Sequence, residues 1–97
     1  MNKEFSIMES NLPYYHNERF YGSERHEIFF GKNRKKSIED GLVVFITPQE
    51  HKGTNGIHGK NGSAFNLKLK QIGQKAWCDY YKKTNNDFIK RYGKNYL

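Results

Sequence analysis

The chain has 97 residues, with 17 Lys and Arg against 10 Asp and Glu, and a formal net charge of +7. That length predicts one domain burying about 60–65% of its unfolded surface, and its seven Phe, seven Tyr and one Trp argue against wholesale disorder. The single cysteine, Cys78, excludes an internal disulfide framework and a four-cysteine zinc site, and no apolar run approaches the length of a membrane span.

Residues 1–20 show no sustained period and contain Pro13, so they read as an irregular arm with room for one short strand or turn. The opening Met1-Asn2-Lys3-Glu4 lacks the apolar stretch of a signal peptide, which makes a cytoplasmic protein the expectation. After the turn signal Tyr21-Gly22-Ser23, residues 25–30 are compatible with a strand closing at Gly31. The segment 31–41 is polar and charged. Ser37 with Asp40 three positions on fits a capped helical turn, and a long hairpin loop fits equally. Residues 42–47 form the clearest strand, β-branched and aromatic between Gly41 and Pro48.

Pro48 suits the first position of a short helix capped by Thr47 and ended by Gly53. A glycine-rich loop over 53–62 follows, and Ser63 can cap a long helix running to about residue 82. Phe65, Leu69, Ile72, Ala76 and Tyr80 recur on one face of that helix. The same period makes Phe65, Trp77 and Tyr80 core residues in preference to base-stacking platforms, and Cys78, with no nucleophile signature around it, reads as a small helix residue without chemistry. A last helix over 87–92 has Thr84 or Asn86 as its cap and Gly93 as its stop.

Charge is unevenly distributed. Residues 1–62 carry a balance of +1, whereas residues 63–97 carry +6. A basic excess speaks for polyanionic partners, and equally for a well-solvated helical face. Arg25, Lys32, Arg34, Lys35 and Lys36 cluster around the first strand and its following loop, a composition that gives sequence-independent affinity for DNA phosphates.

There are four histidines, His16, His26, His51 and His58. The last three stand in the first strand, in the helical turn after the second strand, and in the glycine loop. Imidazole is the commonest metal-binding side chain. Ligands from a strand, a helix and a loop could meet on one ion and leave a position open for substrate, as a catalytic metal site requires. Spacing alone fits three ordinary hydrogen-bonded histidines better, because His51 and His58 do not share a helical face.

The combination Glu24-Arg25-His26-Glu27-Ile28-Phe29-Phe30-Gly31, Asn33-Arg34-Lys35, Ser37, Gly41-Leu42-Val43-Val44, Pro48, His51, Gly53 and Gly56-Ile57-His58-Gly59 resembles small HNH-type nuclease-like proteins of phages and prophages. Phe88 and the closing Tyr92-Gly93-Lys94-Asn95-Tyr96-Leu97 are similar to the end of that family, so the resemblance spans roughly residues 24–97. It implies a ββα-metal finger that clamps one divalent ion against a scissile phosphate. His26, His51 and His58 then take the ligand positions, Glu27 the position of the general base, and Asn33 that of the residue steadying the base. Arg34 is placed to stabilise charge building on the phosphate.

Two departures from the family pattern stand out. The base position holds Glu27 where histidine is usual, and a carboxylate of pKa about 4.3 is the weaker base near neutrality. It can orient water on the ion, serve as a ligand, or point away from His26 as adjacent strand residues do. Second, the cysteines that hold a structural zinc in many relatives are missing; the corresponding stretches read Tyr14-Tyr15-His16 and Thr47-Pro48-Gln49-Glu50. Phe5, Ile7, Tyr14 and Tyr15 are candidates to pack in place of that zinc.

The sequence therefore predicts an α+β fold. It is a single small domain in which a β-hairpin and short helix form a metal finger over residues 21–97, braced by a longer C-terminal helix. The expected function is divalent-metal-dependent DNA endonuclease, with zinc, magnesium, manganese or nickel as the ion and DNA as the partner. The alternative is a catalytically inactive nucleic-acid-binding or regulatory protein of the same fold.

Overall fold

The run Val43-Val44-Phe45-Ile46 has no polar alternate, and such a strand belongs where both its faces are covered. In the computed structural model, which describes residues 2–52 and 62–97, all four of these side chains are buried. Strand β1 (Glu24–Glu27) pairs antiparallel with β2 (Val43–Ile46), Glu24 lying opposite Ile46 and Glu27 opposite Val43. The other edge of β2 is closed by the N-terminal arm. His16 and Phe45 exchange two backbone hydrogen bonds of 2.9 Å, and the Ser6 hydroxyl donates to the Val43 carbonyl at 2.7 Å. Two strands alone are marginal in water, and the arm supplies the missing cover. Met8 and Tyr15 from the arm join the core, whereas Tyr14 is exposed.

Between the strands, the chain makes a 3-10 turn at Gly31–Asn33 and helix α1 (Arg34–Glu39), so the helical alternative prevails over an open hairpin loop. Ser37 lies inside α1 and is not its cap. Its hydroxyl donates to the Leu42 carbonyl at 2.6 Å and accepts from the Phe29 N–H at 3.2 Å, stapling the two strands' near ends. Helix α2 (Pro48–Lys52) starts as the cap chemistry requires: Thr47 Oγ1 accepts from the Glu50 N–H and Glu50 Oε1 accepts from the Thr47 N–H, both at 3.1 Å.

Helix α3 (Ser63–Tyr81) begins after Gly62, without a side-chain cap from Ser63. Helix α4 (Asn85–Tyr92) has a reciprocal cap between Thr84 and Asp87 and ends at Gly93, whose φ of 86° suits glycine. The buried face of α3 is Leu69, Gly73, Gln74 and Trp77. Phe65, Ile72 and Ala76 only flank the core, and Tyr80, at 55% exposed, lies outside it. The helix is rotated from the apolar stripe, with Gly73 set against the side chains that follow β1. A Cβ there would stand 3.2 Å from both Ile28 and Phe29.

Aromatic packing completes the core. Phe88 and Tyr92 stack at 4.5 Å between ring centroids, Phe29 meets both at 5.3 and 4.9 Å, and Trp77 meets Phe88 edge to face at 5.5 Å. These large rings provide the buried area that the low aliphatic content does not. No helix among the described residues is long and apolar enough to cross a membrane.

Candidate metal and phosphate site

Alternation along β1 sends Glu24 and His26 to one face and Arg25 and Glu27 to the other. The antiparallel register sets Glu24 beside the end of β2, where the chain enters α2. Helix α2 thereby folds back over the first face of β1. His51 Nδ1 lies 2.9 Å from Glu24 Oε1, and the rings of His51 and His26 meet edge to face with centroids 5.1 Å apart. His26 is buried, with Phe30 closing over it at 5.7 Å. An ionised carboxylate only accepts, so in this bond His51 Nδ1 is the protonated donor.

His26 and His51 are thus neighbours. His58 lies outside the described residues. Among the described residues, no three His, Cys, Asp or Glu side chains are grouped as a cation requires. The donor chemistry of two adjoining imidazoles, one oriented by a carboxylate, nevertheless suits a transition-metal ion.

Glu27 stands on the opposite face from His26. Its Oε1 accepts from Arg34 Nε at 2.6 Å, and its Oε2 lies 3.3 Å from Arg25 Nε. Of the readings open for this carboxylate, the one that points away from His26 matches its place. Asn33 is buried, and its amide donates to the Tyr92 carbonyl at 3.0 Å, tying the 3-10 turn to the end of α4. It does not steady Glu27.

The basic residues divide into two groups. Arg25 and Arg34 gather on Glu27, Lys35 is exposed, and Lys32 is exposed beside Lys36 and Arg91. Lys36 belongs elsewhere, donating to the Arg91 carbonyl at 2.7 Å.

Two features escaped the sequence reading. Glu24 was legible as the residue two positions before His26, hence on its face, but only the return of α2 gives it a partner. The second is Asp40, which caps the C-terminus of α1 instead of starting a helical turn. Its buried carboxylate accepts from Trp77 Nε1 at 2.9 Å, from Arg91 Nε and Nη2 at 2.6 and 2.8 Å, and from the Tyr92 hydroxyl at 2.7 Å. The bond to Asp40 holds the Arg91 guanidinium above its already high pKa, and burial, reinforced by Asp40, pushes the Tyr92 phenol far up. No local pattern marks Asp40, because all three partners lie 37 or more positions away.

No protein-family model, curated protein or solved structure matches this chain.

Proposed function

We propose that this protein is a divalent-metal-dependent, HNH-like endonuclease hydrolysing DNA phosphodiester bonds. The observation that carries the reading is the meeting of His26 and His51 on one face of β1, with Glu24 bonded to His51 at 2.9 Å. His26 and His51 would hold the ion, His58 being the third candidate ligand. Such an ion, when bound, polarises a phosphate and activates water for attack.

The chain's own residues do the rest. Glu24 fixes the tautomer and direction of His51. Burial under Phe30 restrains His26. On the face of β1 opposite the histidines, Arg34, with its side chain 53% exposed, can exchange Glu27 for a DNA phosphate oxygen away from the ion, and Arg25, Lys32 and Lys35 add positive charge to the protein's DNA-facing surface. Glu27 serves here by positioning Arg34 and Arg25.

The engagement of Glu27 by two arginines also favours the second reading, a nucleic-acid-binding protein of this fold without catalysis. Plasmid DNA incubated with Mg²⁺, Mn²⁺, Ni²⁺ or Zn²⁺, beside His26→Ala and His51→Ala, separates the two. Nicking or linearisation by the natural protein that both variants lose supports the nuclease. Cleavage that persists in the variants overturns it, and binding without cleavage under every ion selects the second reading.

A further inference from the structure

We propose that the groove between α1 and α4 is a second seat for the phosphodiester backbone of DNA. This rests on the nucleic-acid half of the reading above and is independent of cleavage. One part of the groove, of about 490 Å³, is lined by Lys36, Trp77, Lys83, Asp87, Lys90 and Arg91. An adjoining part of about 220 Å³ shares Lys36, Lys90 and Arg91 and adds Lys32. Five cationic side chains therefore line a surface whose own carboxylate is Asp87. Of the five, Arg91 is already paired with Asp40 and lies 3.5 Å from Glu39, so Lys32, Lys36, Lys83 and Lys90 supply the charge open to an anion.

That carboxylate is already engaged. Asp87 accepts from the backbone N–H and the hydroxyl of Thr84, both at 3.0 Å, at the start of α4. Two of the cations are held in place: Lys36 by the Arg91 carbonyl at 2.7 Å, and Arg91 by its two-pronged bond to Asp40. Anchored side chains lose less freedom when an anion arrives, so these walls are preorganised. Lys32, Lys83 and Lys90 are exposed and carry charge to the opening. Trp77 is buried beneath it and hydrogen-bonded to Asp40, so the groove offers charge to a backbone and no platform to a base.

Helix α1 links this groove to the Glu27 face of β1, opposite the histidines. Arg34 in its first turn reaches Glu27 on β1, while Lys36, two positions on, reaches α4. A DNA strand over the Arg25 and Arg34 cluster can thus continue along Lys32 and Lys36 to Lys90 and Lys83. Lys83, Lys90 and Arg91 are the part of the C-terminal basic excess that lines this groove.

The test is binding of short duplex DNA by the full chain across a salt series. Lys83→Gln/Lys90→Gln should flatten the slope of log affinity against log salt by about 1.8, two phosphate contacts at about 0.9 each. Lys83→Arg/Lys90→Arg should keep the natural slope. Lys68→Gln/Lys75→Gln, which removes the same charge from exposed positions of α3, should change it little. An unchanged slope in the first variant overturns the groove even if cleavage is intact, and so does equal flattening by both glutamine pairs. Slope loss confined to Lys83 and Lys90 in a protein that cleaves nothing upholds the groove while the nuclease reading falls.

Discussion

Glu24 and His51 are 27 positions apart, yet the carboxylate of one lies 2.9 Å from Nδ1 of the other, joining the start of β1 to the helix that follows β2. The bond does for His51 what packing does for His26: it restricts the imidazole to one orientation. In metal sites, a carboxylate behind a histidine fixes the ring and raises its basicity.

Glu24→Gln should therefore weaken divalent-ion binding by roughly 10–100-fold while leaving the fold intact. Calorimetric titration with Ni²⁺ or Zn²⁺, alongside His51→Ala as the complete loss, measures this. Affinity equal to that of the natural protein would show that Glu24 does not orient the ligand.

Asp40 holds three elements together, and its removal should be felt throughout. Asp40→Ala strands the guanidinium of Arg91, the indole N–H of Trp77 and the hydroxyl of Tyr92 without their shared acceptor. Breaking a buried ionic network from one side costs about 3–5 kcal/mol; the side chain of Arg91 is 34% exposed, so about 3 kcal/mol is the expected loss. Thermal unfolding should report a Tm lower by roughly 10–20 °C.

Gly41 occupies the point where the arm crosses the start of β2. Its φ is 75°, and a Cβ there would lie 2.7 Å from a ring carbon of Phe5 and 3.0 Å from Ile7 Cγ2. Gly41→Ala combines left-handed strain of about 1–2 kcal/mol with displacement of the arm. Urea unfolding should show at least that loss, and proteolysis should reach residues 2–8 sooner. The same change at Gly22, φ 81° with no atom nearby, isolates the backbone contribution.

The cap of α4 makes a prediction in pH. Hydrogen bonds from the Thr84 backbone and hydroxyl lower the pKa of Asp87 below its ordinary carboxylate value. Because the folded pKa is depressed, this stabilisation is complete above the unfolded value of about 3.9 and is lost as pH falls through the folded one. Amide exchange at the start of α4 should accelerate as pH drops below about 4, after correction for intrinsic rates. Asp87→Asn should flatten that dependence.

The residues that read most clearly in the sequence are those whose partners lie within one turn. Thr47 with Glu50, Thr84 with Asp87, and Gly93 at a helix end interact over at most four positions, so spacing announces α2 and the end of α4, while the structure chooses Thr84 over Asn86 as the cap and starts α4 at Asn85 rather than 87. The unbroken apolar run of β2 likewise announces burial on both faces. Local chemistry leaves open which side of α3 meets the strands. The Leu69, Gly73 and Trp77 face meets the core, and the missing side chain at Gly73 gives Ile28 and Phe29 room there, whereas the Phe65 and Tyr80 edge lies outside.

For the candidate site, the sequence by itself determined that residue 26 lies in a strand and left Glu27 open between water-orienting base, ligand and a residue pointing away from His26. The strand as formed, Glu24–Glu27, sets Glu24 on the face of His26 and Glu27 on the other. Tertiary structure alone decided what comes to meet each face: His51 on one side, Arg34 on the other, and Arg91, Tyr92 and Trp77 around Asp40. Those partners are separated by long stretches of chain, and their meeting depends on how whole elements pack, a quantity no short window of residues contains.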